Sequence, residues 1–231
     1  MSEPEVRAAA IVLAAGAGRR LGAERPKAFL PIGERPMLAV AAAAAAASPA
    51  IEAIVVAAPA GFEDEARGCL EGLPVPTEVV TGGASRQASV RAALEALGDG
   101  IGIVAVHDAA RPFAPPDLFT EVVRAVADGA DGAIPVVPVT DTVKRIVGGH
   151  VTGTVPRDEL GLAQTPQAFR VAALLEGHDH AAAEGQHVTD DAALLEGAGT
   201  VVAVAGDPMN VKITTMLDLA RAEARMGGPG A

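Results

Sequence analysis

Residues 9–20 read Ala9-Ala10-Ile11-Val12-Leu13-Ala14-Ala15-Gly16-Ala17-Gly18-Arg19-Arg20. An unbroken apolar run closed by glycine is the pattern of a strand buried on both faces, as in a parallel sheet. The signal recurs along the chain, and further strands are expected at 53–58, 77–80, 101–106, 132–139 and 201–204. Between them lie helical patterns at 37–47, 62–70, 85–97, 116–127, 171–183, 192–195 and 216–226. Such alternation predicts an α/β fold: a doubly wound, mostly parallel sheet with helices on both faces. The alternation breaks once. Two short β-prone runs, 143–147 and 151–155, flank Gly148-Gly149 and predict a hairpin that projects from the sheet, an arm over about 140–158. No linker separates this arm from the rest, so residues 1–231 are expected to form one domain.

Composition narrows the chemistry. Of 231 residues, 50% are hydrophobic but only 2% aromatic, with no Trp or Tyr. The core must be built from Ala, Val, Leu and Ile, and stacking platforms for single-stranded bases are hard to assemble. Eighteen Lys and Arg against 29 Asp and Glu give a net charge of −11, which argues against a nucleic-acid partner. The single cysteine, Cys69, allows neither an internal disulfide nor a thiolate zinc site. His178 and His180 lack further metal ligands nearby, and no Gly-x-Ser-x-Gly elbow is present. The acidic start is wrong for a signal peptide, and the apolar runs 8–13 and 37–47 fall short of the ~20 residues that span a bilayer. A soluble cytoplasmic protein without a membrane partner is expected.

Against this acidic background the first loop is locally cationic. Arg19, Arg20, Arg25 and Lys27 fall within nine residues, beside Gly16 and Gly18. The loop follows the first strand, where open α/β sheets place ligands. It is not a dinucleotide fingerprint, because the third glycine comes one residue late and the second strand ends without an acid. It is not a P-loop, because the chain has no Gly-Lys pair. Glycines that admit an anion to the backbone, with clustered cations, suit a triphosphate; a surface turn with solvated charges would share the pattern. Lysine usage adds to the reading. Only Lys27, Lys144 and Lys212 stand among 15 arginines, and a compact ammonium is kept where a planar fork does not serve.

Other motifs occupy strand ends and loops: Gly82-Gly83-Ala84-Ser85-Arg86-Gln87-Ala88-Ser89 opening a helix, Val106-His107-Asp108-Ala109-Ala110-Arg111, and Asn210-Val211-Lys212-Ile213-Thr214. The first reads as a helix N-terminus for an anion or base edge, or as a cap by Ser85. In the second, Asp108 suits a ribose hydroxyl or a magnesium ion, Arg111 a phosphate, and the two could also pair with each other; His107 reads as structural. Thr140-Asp141-Thr142-Val143-Lys144-Arg145, Thr154-Val155-Pro156-Arg157, Gln164-Thr165-Pro166-Gln167 and Val188-Thr189-Asp190-Asp191 complete the set. Thr189 or Asp190 is a natural cap for the helix that follows.

In this order the motifs resemble the 2-C-methyl-D-erythritol 4-phosphate cytidylyltransferases of the non-mevalonate isoprenoid pathway, from about residue 10 to 223. The resemblance implies transfer of the cytidylyl group of CTP to the sugar-alcohol phosphate with release of pyrophosphate, magnesium as cofactor, and a homodimer interlocked through the arm. It implies that Arg20 and Lys27 act on the triphosphate. Ala14, Ala15, Gly16 and Gly18 line the nucleotide, while Gly82, Gly83, Ser89 and Asp108 hold the cytidine. Asp108 is the only candidate metal ligand. Lys212 positions both phosphates, and Arg157 reaches the partner's site. Arg111, Thr142, Thr165 and Thr189 match positions that contact methylerythritol phosphate. Leu13 departs from a common Pro, and Ala28-Phe29 from a common Gln-Tyr. A ribitol 5-phosphate cytidylyltransferase, a molybdopterin nucleotidyltransferase and a non-catalytic nucleotide sensor of the same fold are the alternatives.

Overall fold

The computed structural model describes residues 6–16 and 25–227. In chain order the elements are β1 (Arg7–Leu13), a 3₁₀ turn (Lys27–Phe29), β2 (Pro31–Ile32), β3 (Arg35–Pro36), α1 (Met37–Ala46), β4 (Ala53–Ala58), α2 (Glu63–Leu70) and β5 (Thr77–Thr81). They continue with α3 (Arg86–Glu95), β6 (Ile101–Asp108), α4 (Pro116–Ala127), β7 (Gly132–Pro138), β8 (Val143–Val147), β9 (His150–Val155) and β10 (Gly161–Ala163). The chain ends with β11 (Gln167–Arg170), α5 (Val171–Glu184), a 3₁₀ turn (Ala192–Leu194), β12 (Val201–Ala205) and α6 (Met216–Met226).

β1 is the central strand the apolar run predicts, with Ala8 to Val12 all buried. It pairs in parallel with β4 on one side and β6 on the other, and β5 extends the sheet beyond β4. Beyond β6 lies β11, then β7, then β12. The successive strands β1, β4 and β5 step outward, and β6 then returns to the far side of β1. This reversal opens a crevice at the C-terminal ends of β1 and β6, the place where doubly wound sheets bind ligands.

Two departures from the sequence reading follow. β10 and β11 are strands, and both run antiparallel to β7 along one of its edges. Neither carries a strong apolar run. The expected helix at 192–195 is a single 3₁₀ turn over Ala192–Leu194. Gly197, with φ +78°, turns the chain away three residues beyond its end.

Alternation along the strands divides the core between the two sheet faces. Ala8, Ala10 and Val12 pack on one face with Leu38, Phe119 and Val122 from α1 and α4. Ile11, Val104 and Val106 pack on the other with Val90, Leu94 and Leu174 from α3 and α5. The buried alanines of α1, Ala41, Ala42, Ala45 and Ala46, let that helix lie close to the sheet. The alanine tract is therefore packing surface, and it combines high helix propensity with small volume.

The hairpin is present where the sequence placed it. β8 and β9 form a two-stranded sheet of their own. Gly148 and Gly149 both have positive φ, +56° and +80°, which is the two-residue hairpin turn that suits the twist of the strands. Ile146, Val147 and Val151 stand more than 60% exposed on it. Among the described residues, no helix is long and apolar enough to cross a membrane.

Candidate active site

The crevice holds a cavity of about 410 Å³. Four loops, the last of them the segment that carries Lys212 and Thr214 between β12 and α6, and the turn at Lys27 shape it.

The first loop follows β1. Ala14 N–H donates to Ala57 O at 2.9 Å, which continues the sheet for one residue past the strand. Gly16 lines the cavity, yet a Cβ there would meet nothing within 4 Å among the described residues and its φ is not positive. Among the described residues, neither packing nor backbone strain asks for glycine here. Its smallness leaves room at the cavity wall for a ligand to approach the backbone. Gly18 and Arg20 lie outside the described residues.

The second loop joins β5 to α3. A Cβ on Gly82 would come within 2.4 Å of Ala15 Cβ, so the first two loops touch only because this residue is glycine. A Cβ on Gly83 would strike Ala88 Cβ, also at 2.4 Å. Ser85 caps α3, its Oγ accepting from Ala88 N–H at 3.0 Å. Ser89 Oγ accepts from Gly83 N–H at 3.1 Å and donates to Ser85 O at 2.8 Å, which ties the glycine pair to the first turn of the helix.

The third loop leaves β6 at Asp108. This carboxylate is 8% exposed and lines the cavity. Its Oδ2 accepts from Lys212 Nζ at 2.6 Å, and Arg86 Nε stands 3.5 Å from its Oδ1. Burial alone would raise its pKa; the charges of Arg86 and Lys212 outweigh that and hold it down at about 2. Lys27 Nζ donates to Ile213 O at 2.8 Å and also lines the cavity. Among the described residues the wall thus presents three cations, Lys27, Arg86 and Lys212, against one carboxylate.

Behind the wall, hydrogen bonds lock three chain segments together. Ile213 N–H donates to Ala110 O at 2.8 Å. Arg111 gives one guanidinium nitrogen to Asn210 O at 2.7 Å and another to Ala163 O at 3.2 Å. Asn210 Nδ2 donates to Thr165 O at 2.8 Å. His107 is fully buried, and burial pushes its pKa down to about 4, so the ring is neutral. Its Nε2 lies 3.0 Å from the Arg111 carbonyl, which only accepts, so Nε2 carries the proton. Nδ1 must then accept from Thr165 Oγ1 at 3.1 Å, and that hydroxyl in turn accepts from Asp108 N–H at 3.1 Å. This chain of bonds fixes the backbone that carries Asp108, and His107 has the structural role its sequence context suggested.

Apart from Gly18 and Arg20, the nominated residues therefore fall into three groups. Ala14, Ala15, Gly16, Lys27, Gly83, Ser89, Asp108 and Lys212 converge on the cavity, and Gly82 supports it from behind. Arg111 and Thr165 sit in the clasp just described. Thr142, Arg157 and Thr189 are exposed away from the cavity within one chain. Arg157 lines a separate depression at the base of the arm with Val136, Leu160 and Val204, and it donates to Thr140 O. The sequence reading missed Arg86 and its second partner Asp191. Arg86 stood in a quoted motif but was given no role.

A family model described as 2-C-methyl-D-erythritol 4-phosphate cytidylyltransferase matches residues 8–228. The chain belongs to that family. Similar proteins carry the same name. The enzyme of Corynebacterium diphtheriae is 41% identical over 228 residues, covering 94% of this chain and 93% of its own. That of Frankia casuarinae is 46% identical, covering 94% and 80%. Among solved structures, the 4-diphosphocytidyl-2C-methyl-D-erythritol synthase of Anaerococcus prevotii matches with a TM-score of 0.85 at 30% identity, over 96% of this chain and 99% of that one. The protein is a cytidylyltransferase of isoprenoid precursor biosynthesis. The wall of cations fits a reaction between two polyanions.

Proposed function

We propose that the cavity binds CTP with its triphosphate on Lys27, Lys212 and Arg20, and that a phosphate oxygen of 2-C-methyl-D-erythritol 4-phosphate attacks the α-phosphorus in line, with pyrophosphate leaving. The observation that carries this reading is the convergence of Lys27 and Lys212 on one cavity floored by glycines. The nucleophile is already anionic near neutral pH, so no general base is required. The neutral, buried His107 is tied on both nitrogens and is not offered as one. Catalysis then rests on holding two phosphates together and stabilising the charge that builds on the leaving group.

The glycines supply close approach. Ala14, Ala15, Gly82, Gly83 and Ser89 edge the base, and Asp108 faces the ribose. Arg111, Thr165 and Thr189 serve the second substrate, either directly or by setting the loops beside it. A magnesium ion fits this donor set. Asp108 is a hard oxygen ligand on the cavity wall, and Mg²⁺ at nucleotides takes one or two carboxylates with phosphate oxygens. When bound, the ion would neutralise charge on the triphosphate. The chain acts as a homodimer in which each arm delivers Thr142 and Arg157 to the other subunit's cavity, and it works in the cytoplasm.

Steady-state rates with CTP, UTP and ATP, each against methylerythritol phosphate and ribitol 5-phosphate, test the reading. CTP with methylerythritol phosphate should exceed every other pair. A site that hydrogen-bonds the cytosine amino group leaves buried acceptors unpaired with uracil. Equal kcat/KM for CTP and ATP would sink the assignment of the base site, and a preference for ribitol phosphate would sink that of the second.

A further inference from the structure

Asp191 is placed where a carboxylate is hard to justify by packing. Its side chain is 1% exposed, at the start of the turn Ala192–Leu194. Neither of its oxygens has an aligned hydrogen-bond donor among the described residues. What it does have is an ion pair, with Oδ2 2.7 Å from Arg86 Nη2. A buried carboxylate with one partner is a liability for stability, and an apolar residue of similar size would serve the core better.

Arg86 gives the pair a purpose. It is the first residue of α3, and its guanidinium lies between two carboxylates, Asp191 behind and Asp108 at the cavity wall. Asp108 in turn has a cation at each oxygen: Arg86 near Oδ1 and Lys212 on Oδ2. The two cations differ in freedom. Lys212 is 40% exposed on a flexible stem at the cavity mouth. Arg86 is 25% exposed and tethered from behind. A lysine that is to reach phosphates must let go of Asp108, and the carboxylate would then lose the closer of its two partners.

We propose that Arg86, braced from behind by Asp191, is a positioning residue that keeps the Asp108 carboxylate in place when Lys212 leaves it for the phosphates of the substrates. The proposal rests on the reading of Asp108 and Lys212 given above. A planar guanidinium can face two carboxylates at once, whereas an ammonium is a point charge.

The test uses the full-length enzyme and four changes: Arg86→Lys, Arg86→Met, Asp191→Leu, and Arg86→Met combined with Asp191→Leu. Each variant is read for Tm, kcat and KM for CTP. Arg86→Met and Asp191→Leu each strand a buried charge, so each should lower Tm and kcat. The double variant removes both charges and should recover most of the Tm while kcat stays down by on the order of tenfold or more. The loss should include kcat and not be confined to KM for CTP, because the brace acts in the bound complex, once Lys212 has moved to the phosphates. Recovery of both Tm and kcat in the double variant would show the pair to be purely structural and overturn the proposal. So would a change confined to KM for CTP, which would make Arg86 a ground-state ligand of the nucleotide. Should the Met and Leu variants fail to fold, Arg86→Lys decides: a folded enzyme with normal kcat overturns the brace, and a tenfold loss supports it. Asp108→Asn and Lys212→Ala run in parallel. If both keep normal turnover, the underlying reading has failed, independently of the brace.

Discussion

Asp108 and Arg157 belong to the same proposed chemistry, yet the protein treats them differently. Asp108 is buried at the end of the sheet, tied through its amide to Thr165 and through its carboxylate to Lys212. Arg157 is exposed at the foot of a hairpin whose Ile146, Val147 and Val151 face solvent. Three segments distant in sequence hold the first, whereas a two-stranded ladder carries the second. An isolated hairpin is marginal in water, and the proposed homodimer would give the arm a surface on which to settle its apolar side chains. In the proposed reading, one half of the site is preorganised by folding, and the other half would be completed by assembly.

The comparison is tested hardest on the braced side. Lys27→Ala and Lys212→Ala should each lower kcat by on the order of 10²–10³, the loss seen when a donor to developing negative charge is removed. Lys27→Ala loses one bond, to the Ile213 carbonyl, and should change Tm by only a few degrees; Lys212→Ala takes from the buried Asp108 its closer partner and should lower Tm further. Steady-state kinetics with CTP, together with thermal unfolding, checks both statements. A variant with near-normal kcat would move the triphosphate away from this wall.

The arm is tested by complementation. Arg157→Ala and Lys27→Ala are each expected to be nearly inactive. Mixed under conditions that allow subunits to exchange, half of the dimers are mixed and each has one intact site. About a quarter of wild-type activity should return if pairing is random in a two-fold dimer. No recovery despite exchange demonstrated by mass would place Arg157 in its own subunit's chemistry, or in none.

How much of this could be read in the chain depends on how local each signal is. β1, β4 and β6 were legible because a strand buried on both faces writes itself as an uninterrupted apolar run, and the half-exposed β12 is apolar throughout all the same. β10 and β11 were not: Gly161-Leu162-Ala163 is too short, Gln167 is polar, and their antiparallel pairing to β7 depends on partners elsewhere in the chain. Lys27, Asp108 and Lys212 were legible as charges at strand ends and loops. Arg86 and Asp191 were not, because Ser85 beside the first and Asp190 beside the second both read as helix caps. Ion pairing across the fold leaves no periodic trace. Thr165 and Arg111 were nominated as substrate contacts. Within the chain their hydrogen bonds run to His107, Asp108, Asn210 and Ala163, a clasp that a linear motif does not reveal.

The smallest expected effect lies in the clasp and appears as pH dependence. His107 has a folded pKa of about 4 against an ordinary value of 6.5, with burial the largest cause. Above pH 6.5 the ring is neutral in both states and contributes no slope. Between 6.5 and 4 the unfolded chain binds a proton that the folded chain refuses, so stability falls as pH falls, and below 4 this group adds no further loss. The whole window amounts to about 3 kcal/mol, or roughly 1.4 kcal/mol per pH unit. His178, its pKa also lowered by burial, acts in the same direction. Asp191, its pKa raised by burial, opposes it. Asp108 enters only lower, between 3.8 and about 2. A difference measurement isolates His107. His107→Gln removes the titration and keeps an amide able to donate to the Arg111 carbonyl. The variant should be less stable at pH 7, yet its Tm should fall less steeply than wild type between pH 6.5 and 4.5, by on the order of 3 °C per pH unit. The arm has no part in this clasp, so the difference in slope should persist when Ile146 and Val151 are both changed to Ser. Parallel Tm curves for wild type and His107→Gln would mean that the imidazole takes up its proton in the folded protein, and that the bonds to Thr165 and Arg111 do not hold Asp108 as described.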